Sequence, residues 1–491
     1  MSKYAHTQTA GMSRDAYKPR SSGSGGFPRL LAAAAMAVYL LLLVGATTAL
    51  TDAASACTAW PACGDGLALP TTTAGYVAFG HRLAAVVVGL LVVVVLVAAW
   101  RGAEPRRVRT AATLSAVLYP LQAGLGAVVA TTAGGWLRAA HLVVGMVIFG
   151  GLVAALTWTL ESRTTTSGTT PGTTTGASEP PASAADPVEA DPVEPPTLPS
   201  EPLARARTVA YAYFRLTKPR LMWLLCLVAS AGMALAAGPG LSVGTVVATL
   251  GGGVLAIGAS GTFNHVLERD RDKRMDRTND RPVATHQIPA RNAVAFGLAL
   301  AVASLVVFWQ VNPLAAALGL VAILFYSVVY TLVLKPNTVQ NTVIGGFAGA
   351  LPALIGWAAV TGRIGLPAVA LAGVIFLWTP AHFYNLALAY KEDYARGGFP
   401  MMPVVRGEAT TRKHILLWLA ATLLTATALA ALTDLGWLYA ATTTTLGAVF
   451  LWTVIRLHRE RTEQAAFRAF HASNAYLGAL LLAIVVDALA L

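Results

Sequence analysis

Asn264, Glu268, Asp272 and Asp276 fall four residues apart in the segment NHVLERDRDKRMDRTNDR at 264–281. On a helix that spacing stacks them on one face. Carboxylates in such a row repel one another unless positive charge sits on them. Arg269, Arg271, Lys273 and Arg274 offer one answer, a solvated ion-pair face. Hard divalent cations offer another: Mg²⁺ takes oxygen ligands, keeps several waters and is shared with substrate phosphates. Asp270 lies off the stripe. A second polar patch holds Lys391, Glu392, Asp393 and Arg396, just after the apolar run WTPAHFYNLAL at 378–388. Two such patches together suit a diphosphate, with acids on the metal and Lys and Arg on the phosphate oxygens.

The elements that must position these groups are membrane helices. Only 12% of the 491 residues are charged and 56% are hydrophobic, whereas soluble domains carry about 25% charged residues. That excludes a soluble globular enzyme and a disordered chain. Three cysteines exclude a disulfide-rich scaffold. Continuous rather than alternating apolar stretches argue against a β-barrel. The expected fold is an all-α polytopic membrane protein. A polar tail, 1–28, precedes four expected spans at 29–50, 76–100, 108–131 and 139–160. Nine more are expected at 221–237, 242–263, 292–310, 313–334, 341–360, 366–389, 414–433, 436–456 and 472–490. Between the two sets, 161–204 is Thr, Pro, Gly and acid, with too little to bury, and reads as a disordered linker.

The net charge of +12 sets topology rather than nucleic-acid binding. No basic stretch is interleaved with base-stacking aromatics. With thirteen spans, the basic segments 101–109, 205–220, 264–291, 391–413 and 456–468 all fall on the side of the N-terminus. The positive-inside rule makes that side cytoplasmic and puts the C-terminus outside, in a multi-pass cell-membrane protein.

Residues 210–491 closely resemble the UbiA superfamily of membrane prenyltransferases, and within it the heme O synthase (protoheme IX farnesyltransferase) family. The resemblance rests on TKPR (217–220), N-x-x-x-E-x-D-x-D (264–272), RTNDRP (277–282), WTPAHF (378–383), KEDYARGGFPMMPV (391–404) and SNAYLGALLLAIVVD (473–487), in this order. It implies a nine-helix bundle with a central cavity. There a farnesyl-type diphosphate, held through Mg²⁺, gives its prenyl group to a vinyl of heme B, and water ends on the adjacent carbon as a hydroxyl. It implies metal positions at Asn264, Glu268 and Asp272, with Asp270 and Asp393 as further catalytic acids. Lys218 and Arg281 match basic positions of the family and join Lys391 and Arg396 as diphosphate contacts. Where the wider superfamily has two acids four apart in its second motif, Tyr390 and Tyr394 stand here. His382 lies within a span, where an ionisable group is usually functional; it either contacts the porphyrin or hydrogen-bonds a helix. His265 and His286 flank the charged loop and are expected to be solvated.

The first four spans carry signals of their own. Cys57 and Cys63, in CTAWPAC, lie in a loop expected outside, where a disulfide can form; a metal site is the weaker alternative. Cys226 sits in a span as an inert core residue. His81 and His141 open two separate spans at similar depth. They suit a bis-His heme site, or else bond backbone or water at the interface. Residues 30–160 resemble one half of heme A synthase. That resemblance implies heme binding by His81 and His141, with Gln122 at a matching position. The family's Glu three residues before the first His is Ala78 here, so heme A synthesis is not implied. Partners follow: prenyl diphosphate, heme B, the lipid bilayer, no nucleic acid, and heme A synthase or terminal oxidase assembly proteins. A UbiA-type enzyme acting on a quinone or lipid acceptor is the alternative function, as is a non-enzymatic heme carrier or assembly factor.

Overall fold

A computed structural model describes residues 26–50, 56–57, 60, 63, 70–131, 135–162 and 199–490. The expected tail and linker lie largely outside these residues. Among the described residues all regular structure is helical. Among these residues thirteen helical stretches are long and apolar enough to cross a membrane, one for each expected span.

The front four are α1 (Gly26–Leu50), α2 (Thr73–Arg101), α3 (Arg106–Thr131) and α4 (Gly135–Ser162). A helix not expected from the sequence, α5 (Pro202–Leu216), occupies most of the basic segment read as a loop. Then come α6 (Pro219–Ala237), α7 (Val243–Leu267), a single turn α8 (Arg269–Asp272) and α9 (Ala290–Val311). The next span is composite. It starts as α10 (Pro313–Leu324), widens into a π-helix over Phe325–Leu334 and ends in the turn α11 (Lys335–Asn337). The rest are α12 (Asn341–Thr361), α13 (Leu366–Ala389), the turns α14 (Lys391–Arg396) and α15 (Met402–Val405), α16 (Glu408–Ala431), α17 (Trp437–Glu460) and α18 (Glu463–Ala490). Both α16 and α18 begin earlier than hydropathy suggested, because their polar first turns continue the helix beyond the apolar stretch.

Local chemistry places several ends. Thr72 caps α2, accepting from Gly75 N at 3.1 Å. Asn312 caps α10, accepting from Ala315 N at 2.8 Å, and its amide donates to Ala358 O at 2.8 Å. Such side chains satisfy backbone groups that a helix end leaves open. Lipid offers no hydrophobic drive between helices, so close packing of small residues matters. The contact of α6 with α12 shows it. A Cβ on Gly356 would lie 2.1 Å from Ala229 O, and one on Gly232 would lie 2.4 Å from Ala353 O.

The two sets of spans share one apolar core. Buried residues of α1 and α4 join those of α13, α16, α17 and α18 in a continuous cluster. Tyr39 of α1 donates to Thr443 O of α17 at 3.0 Å. At the end of α4, Glu161 meets Arg412 Nε of α16 at 3.2 Å, and His458 Nε2 of α17 lies 3.7 Å away. The Glu161 and Arg412 side chains are 1% and 5% exposed. Removing one partner of such a pair strands the other charge, whereas replacing both with apolar residues is often neutral. Arg412→Met is therefore expected to lower stability by about 3–5 kcal/mol, and Glu161→Met/Arg412→Met to recover most of it. Thermal unfolding of the protein in lipid checks both.

A candidate diphosphate and metal site

Four segments meet at one end of the second bundle: the start of α6, the end of α7 with its following loop, the π-helix, and the turns after α13. Lys218 precedes α6 in the left-handed conformation, φ 54° and ψ 56°. Non-glycine residues adopt this conformation uncommonly. Its Nζ donates to Asn264 Oδ1 and to the Tyr326 hydroxyl at 3.2 Å. Asn264 in turn donates from Nδ2 to Thr331 Oγ1 at 3.1 Å, and Thr331 donates to Tyr326 O at 2.8 Å. The widened π turn thus brings Tyr326, Thr331 and Lys335 to the site, a common use of such turns.

The carboxylates face these cations rather than solvent. Lys335 Nζ reaches Glu268 Oε1 at 2.5 Å. Arg281 Nη1 donates to Asp272 at 2.9 and 2.7 Å and lies 3.7 Å from Glu268 Oε2. Glu268 and Asp272 are 3% and 1% exposed. Burial pushes Glu268 up, but Lys335, Lys218 and Arg281 outweigh it and hold the carboxyl below its ordinary range. Burial, with the Glu268 charge adding, pushes Asp272 up against the pull of Arg281. Burial, with Arg281 repelling, brings Lys218 down to about 7.

The expected stripe holds for three of its four members. Asp276 leaves it because α7 ends at Leu267 and the chain turns after Asp272. It pairs with Arg396 instead. Asp270 is 70% exposed and bound to Arg269 and Lys273, outside the cluster. Asp393 is buried and accepts from Asp276 N at 2.8 Å and from Arg396 at 2.8 Å, so it braces the acid loop from behind. Lys391 reaches outward to Glu408 at 3.1 Å. Arg277 lies over the rings of Tyr390 and Tyr394, at 5.2 and 5.3 Å. The tyrosines standing at the superfamily's acid positions thus grip an arginine. Lys335, Tyr326 and Thr331 were missed in the sequence. Their signal was a lone Lys closing an apolar span on the basic side.

The histidines divide. His382 is stacked between Trp378 and Phe470, ring centroids 4.2 and 4.4 Å away, and its Nδ1 bonds Ser473 Oγ at 2.6 Å. Neither ring face is free for a porphyrin, so His382 packs α13 on α18. His265, expected to be solvated, is buried. His286 is exposed, 3.3 Å from Lys273. In the front bundle, His81 stands on α2 and His141 on α4. Glycines make room for both rings: a Cβ on Gly45 would be 3.1 Å from His81 Cε1, and one on Gly126 3.0 Å from His141 Cε1. His141 Nδ1 faces Gln122 O at 3.1 Å. Its Nε2 accepts in turn from the Gln122 side-chain amide at 3.3 Å, so Gln122 grips the ring at both nitrogens. Cys57 and Cys63 form a disulfide, and Arg82 donates to Cys57 O at 3.0 Å.

The oxygen set fits Mg²⁺. Glu268 and Asp272 converge on one nitrogen of Arg281, so both reach a common point. Among the described residues no three acids or histidines form a complete metal cage. Mg²⁺ that keeps waters and is shared with substrate phosphates needs only one or two carboxylates. Behind Lys218 an apolar cavity runs inward between α6, α7, α10 and α12.

The UbiA prenyltransferase family model matches residues 224–479. Protoheme IX farnesyltransferase of Haloarcula marismortui is 66% identical over 95% of this chain and 99% of its own length. This chain belongs to the UbiA prenyltransferase family, on its protoheme IX farnesyltransferase branch. Protoheme IX farnesyltransferase 1 of Natronomonas pharaonis is 62% identical, again over 95% of this chain and 99% of its own. The cytochrome oxidase assembly protein family, COX15-CtaA, matches residues 28–178. A solved digeranylgeranylglyceryl phosphate synthase shares the UbiA fold at 16% identity and a TM-score of 0.50, over 58% of this chain and all of its own.

For this prenyltransferase, Gly261 is the position that lets Lys218 reach Asn264. A Cβ there would lie 2.9 Å from Leu216 O and 3.2 Å from Lys218 Cγ. Gly261→Ala is expected to displace Lys218 and lower kcat/KM by about tenfold or more, on the order of 1.4 kcal/mol. Steady-state kinetics over a range of prenyl diphosphate concentrations measure it.

Proposed function

We propose that the chain transfers a farnesyl group from farnesyl diphosphate to a vinyl group of heme B, forming heme O. One observation carries the reading beyond family membership. Buried Glu268 and Asp272 meet three cations, Lys218, Lys335 and Arg281, at the mouth of an apolar cavity. Glu268, Asp272 and Asn264 would hold Mg²⁺, which supplies charge neutralisation to the leaving diphosphate. Lys218, Lys335 and Arg281 then turn to the phosphate oxygens and stabilise the charge developing there. The farnesyl C–O bond breaks and its electron pair leaves with the diphosphate. The vinyl electrons form the new C–C bond, and water adds to the adjacent carbon and loses a proton. Tyr326 lines the cavity beside Lys218, where its ring would favour positive charge on the allylic carbon. The apolar walls keep water from that carbon. Arg277, Arg396 and Asp393 hold the acid loop in place.

In this reading 205–491 is the transferase and 29–160 a heme-handling unit, joined by 161–204. The basic side faces the cytoplasm of a cell membrane, and the C-terminus lies outside. His81 and His141 would hold a heme from two sides. The glycine notches beside both rings support this. The COX15-CtaA match supports a place for the unit beside heme A synthesis or oxidase assembly.

Protein in lipid with heme B, Mg²⁺ and farnesyl diphosphate is expected to yield a farnesylated hydroxyethyl heme by mass spectrometry. Chelation should stop the reaction and Mg²⁺ restore it. Asp272→Asn should cut turnover at least about 100-fold, in line with loss of a key transition-state contact. Absence of product from the native chain would defeat the reading. For the front bundle, a low-spin heme spectrum is expected that His81→Ala or His141→Ala removes. A spectrum indifferent to both changes would refute the paired ligands.

A further inference from the structure

Phe308 is among the side chains that line the cavity behind Lys218. This side chain of α9 is wholly buried and stands at the deep end of the lining with Thr249 and Ile355. Its ring has no room to swing aside. A Cβ on Gly252 of α7 would lie 3.0 Å from it, and one on Gly319 of α10 only 2.6 Å. One turn earlier on α9, Ser304 donates to Gly252 O at 2.7 Å, which fixes α9 against α7 beside the ring. From Gly261 at the mouth to Thr249 at the deep end, α7 runs twelve residues, about 18 Å. The wall between is apolar or small. A chain entering from Lys218 therefore travels a fixed length before it meets an aromatic ring clamped on two sides.

We propose that Phe308 is the stop that sets the length of the isoprenoid chain this transferase accepts. The cavity takes a chain of three isoprene units, and the ring excludes a fourth. The proposal rests on the prenyl-transfer reading above. Shortening the ring opens the deep end. Enlarging Ala256, which lines the cavity between mouth and floor, shortens it from the other direction.

The test is competition. The full chain in lipid receives heme B, Mg²⁺ and equal amounts of geranyl, farnesyl and geranylgeranyl diphosphate, and the products are separated by mass. The native protein is expected to favour the farnesyl product. Phe308→Ala should raise the ratio of geranylgeranyl to farnesyl product by about tenfold or more, the range for a few methylenes in an apolar pocket. Phe308→Leu, which leaves a smaller void, should shift it the same way by less. Ala256→Leu should raise the ratio of geranyl to farnesyl product. Native transfer of all three chains with unchanged ratios in the active variants would overturn the stop while leaving prenyl transfer standing. No transfer of any chain by the native protein would overturn both.

Discussion

Two carboxylates taken out of water at a membrane surface are the constraint on which the site depends. Glu268 and Asp272 are nearly wholly buried, and ions in that setting are costly unless paired. Their partners come from separate parts of the chain. Lys335 arrives from the end of a π-helix, Arg281 from the loop nine residues on, and Lys218 from a left-handed turn before α6. Charge balance therefore holds four segments together. The same balance prepares the chemistry. In the proposed reaction a cation and a diphosphate entering together would take over these pairings, with positive charge for the acids and anionic oxygens for the bases.

Contacts behind the cluster keep this arrangement in register. Asp393 accepts from the backbone of the acid loop, Arg396 ties Asp276 to Asp393, and Arg277 lies against Tyr390 and Tyr394. Arg215 of α5 pairs with Asp280 at 2.7 Å, beside Arg281. Further along the membrane normal, glycines rather than charges do the positioning. Gly232 and Gly356 let α6 and α12 touch backbone to backbone, and Gly252 and Gly319 clamp Phe308. The mouth is thus organised by ion pairs and the tunnel by close packing, each suited to the local dielectric.

The front bundle is not a loosely tethered passenger. Its helices α1 and α4 share a core with the transferase bundle, and Glu161 is neutralised by Arg412 of the other bundle. An acid at the end of a span has a readily available solvent partner when the span stands alone. Burying it against Arg412 makes sense only in the joined arrangement.

Much of this was legible in the residues themselves. Thirteen spans follow from hydropathy, because lipid forces each spanning segment to satisfy its own backbone hydrogen bonds and so to be helical. The first three members of the acid stripe follow from a spacing of four, which a helix and its continuing turns convert directly into one face. Family motifs marked Lys218 and Arg281. The tertiary structure alone decided the rest. It turned Asp270, Asp276 and Lys391 away from the cluster, brought in Lys335, Tyr326 and Thr331 through a π-helix, enclosed His382 between two rings and packed Phe308 against Gly252 and Gly319. These depend on which helices become neighbours and how closely they approach. Periodicity along one helix records which face is buried, but not what lies against it.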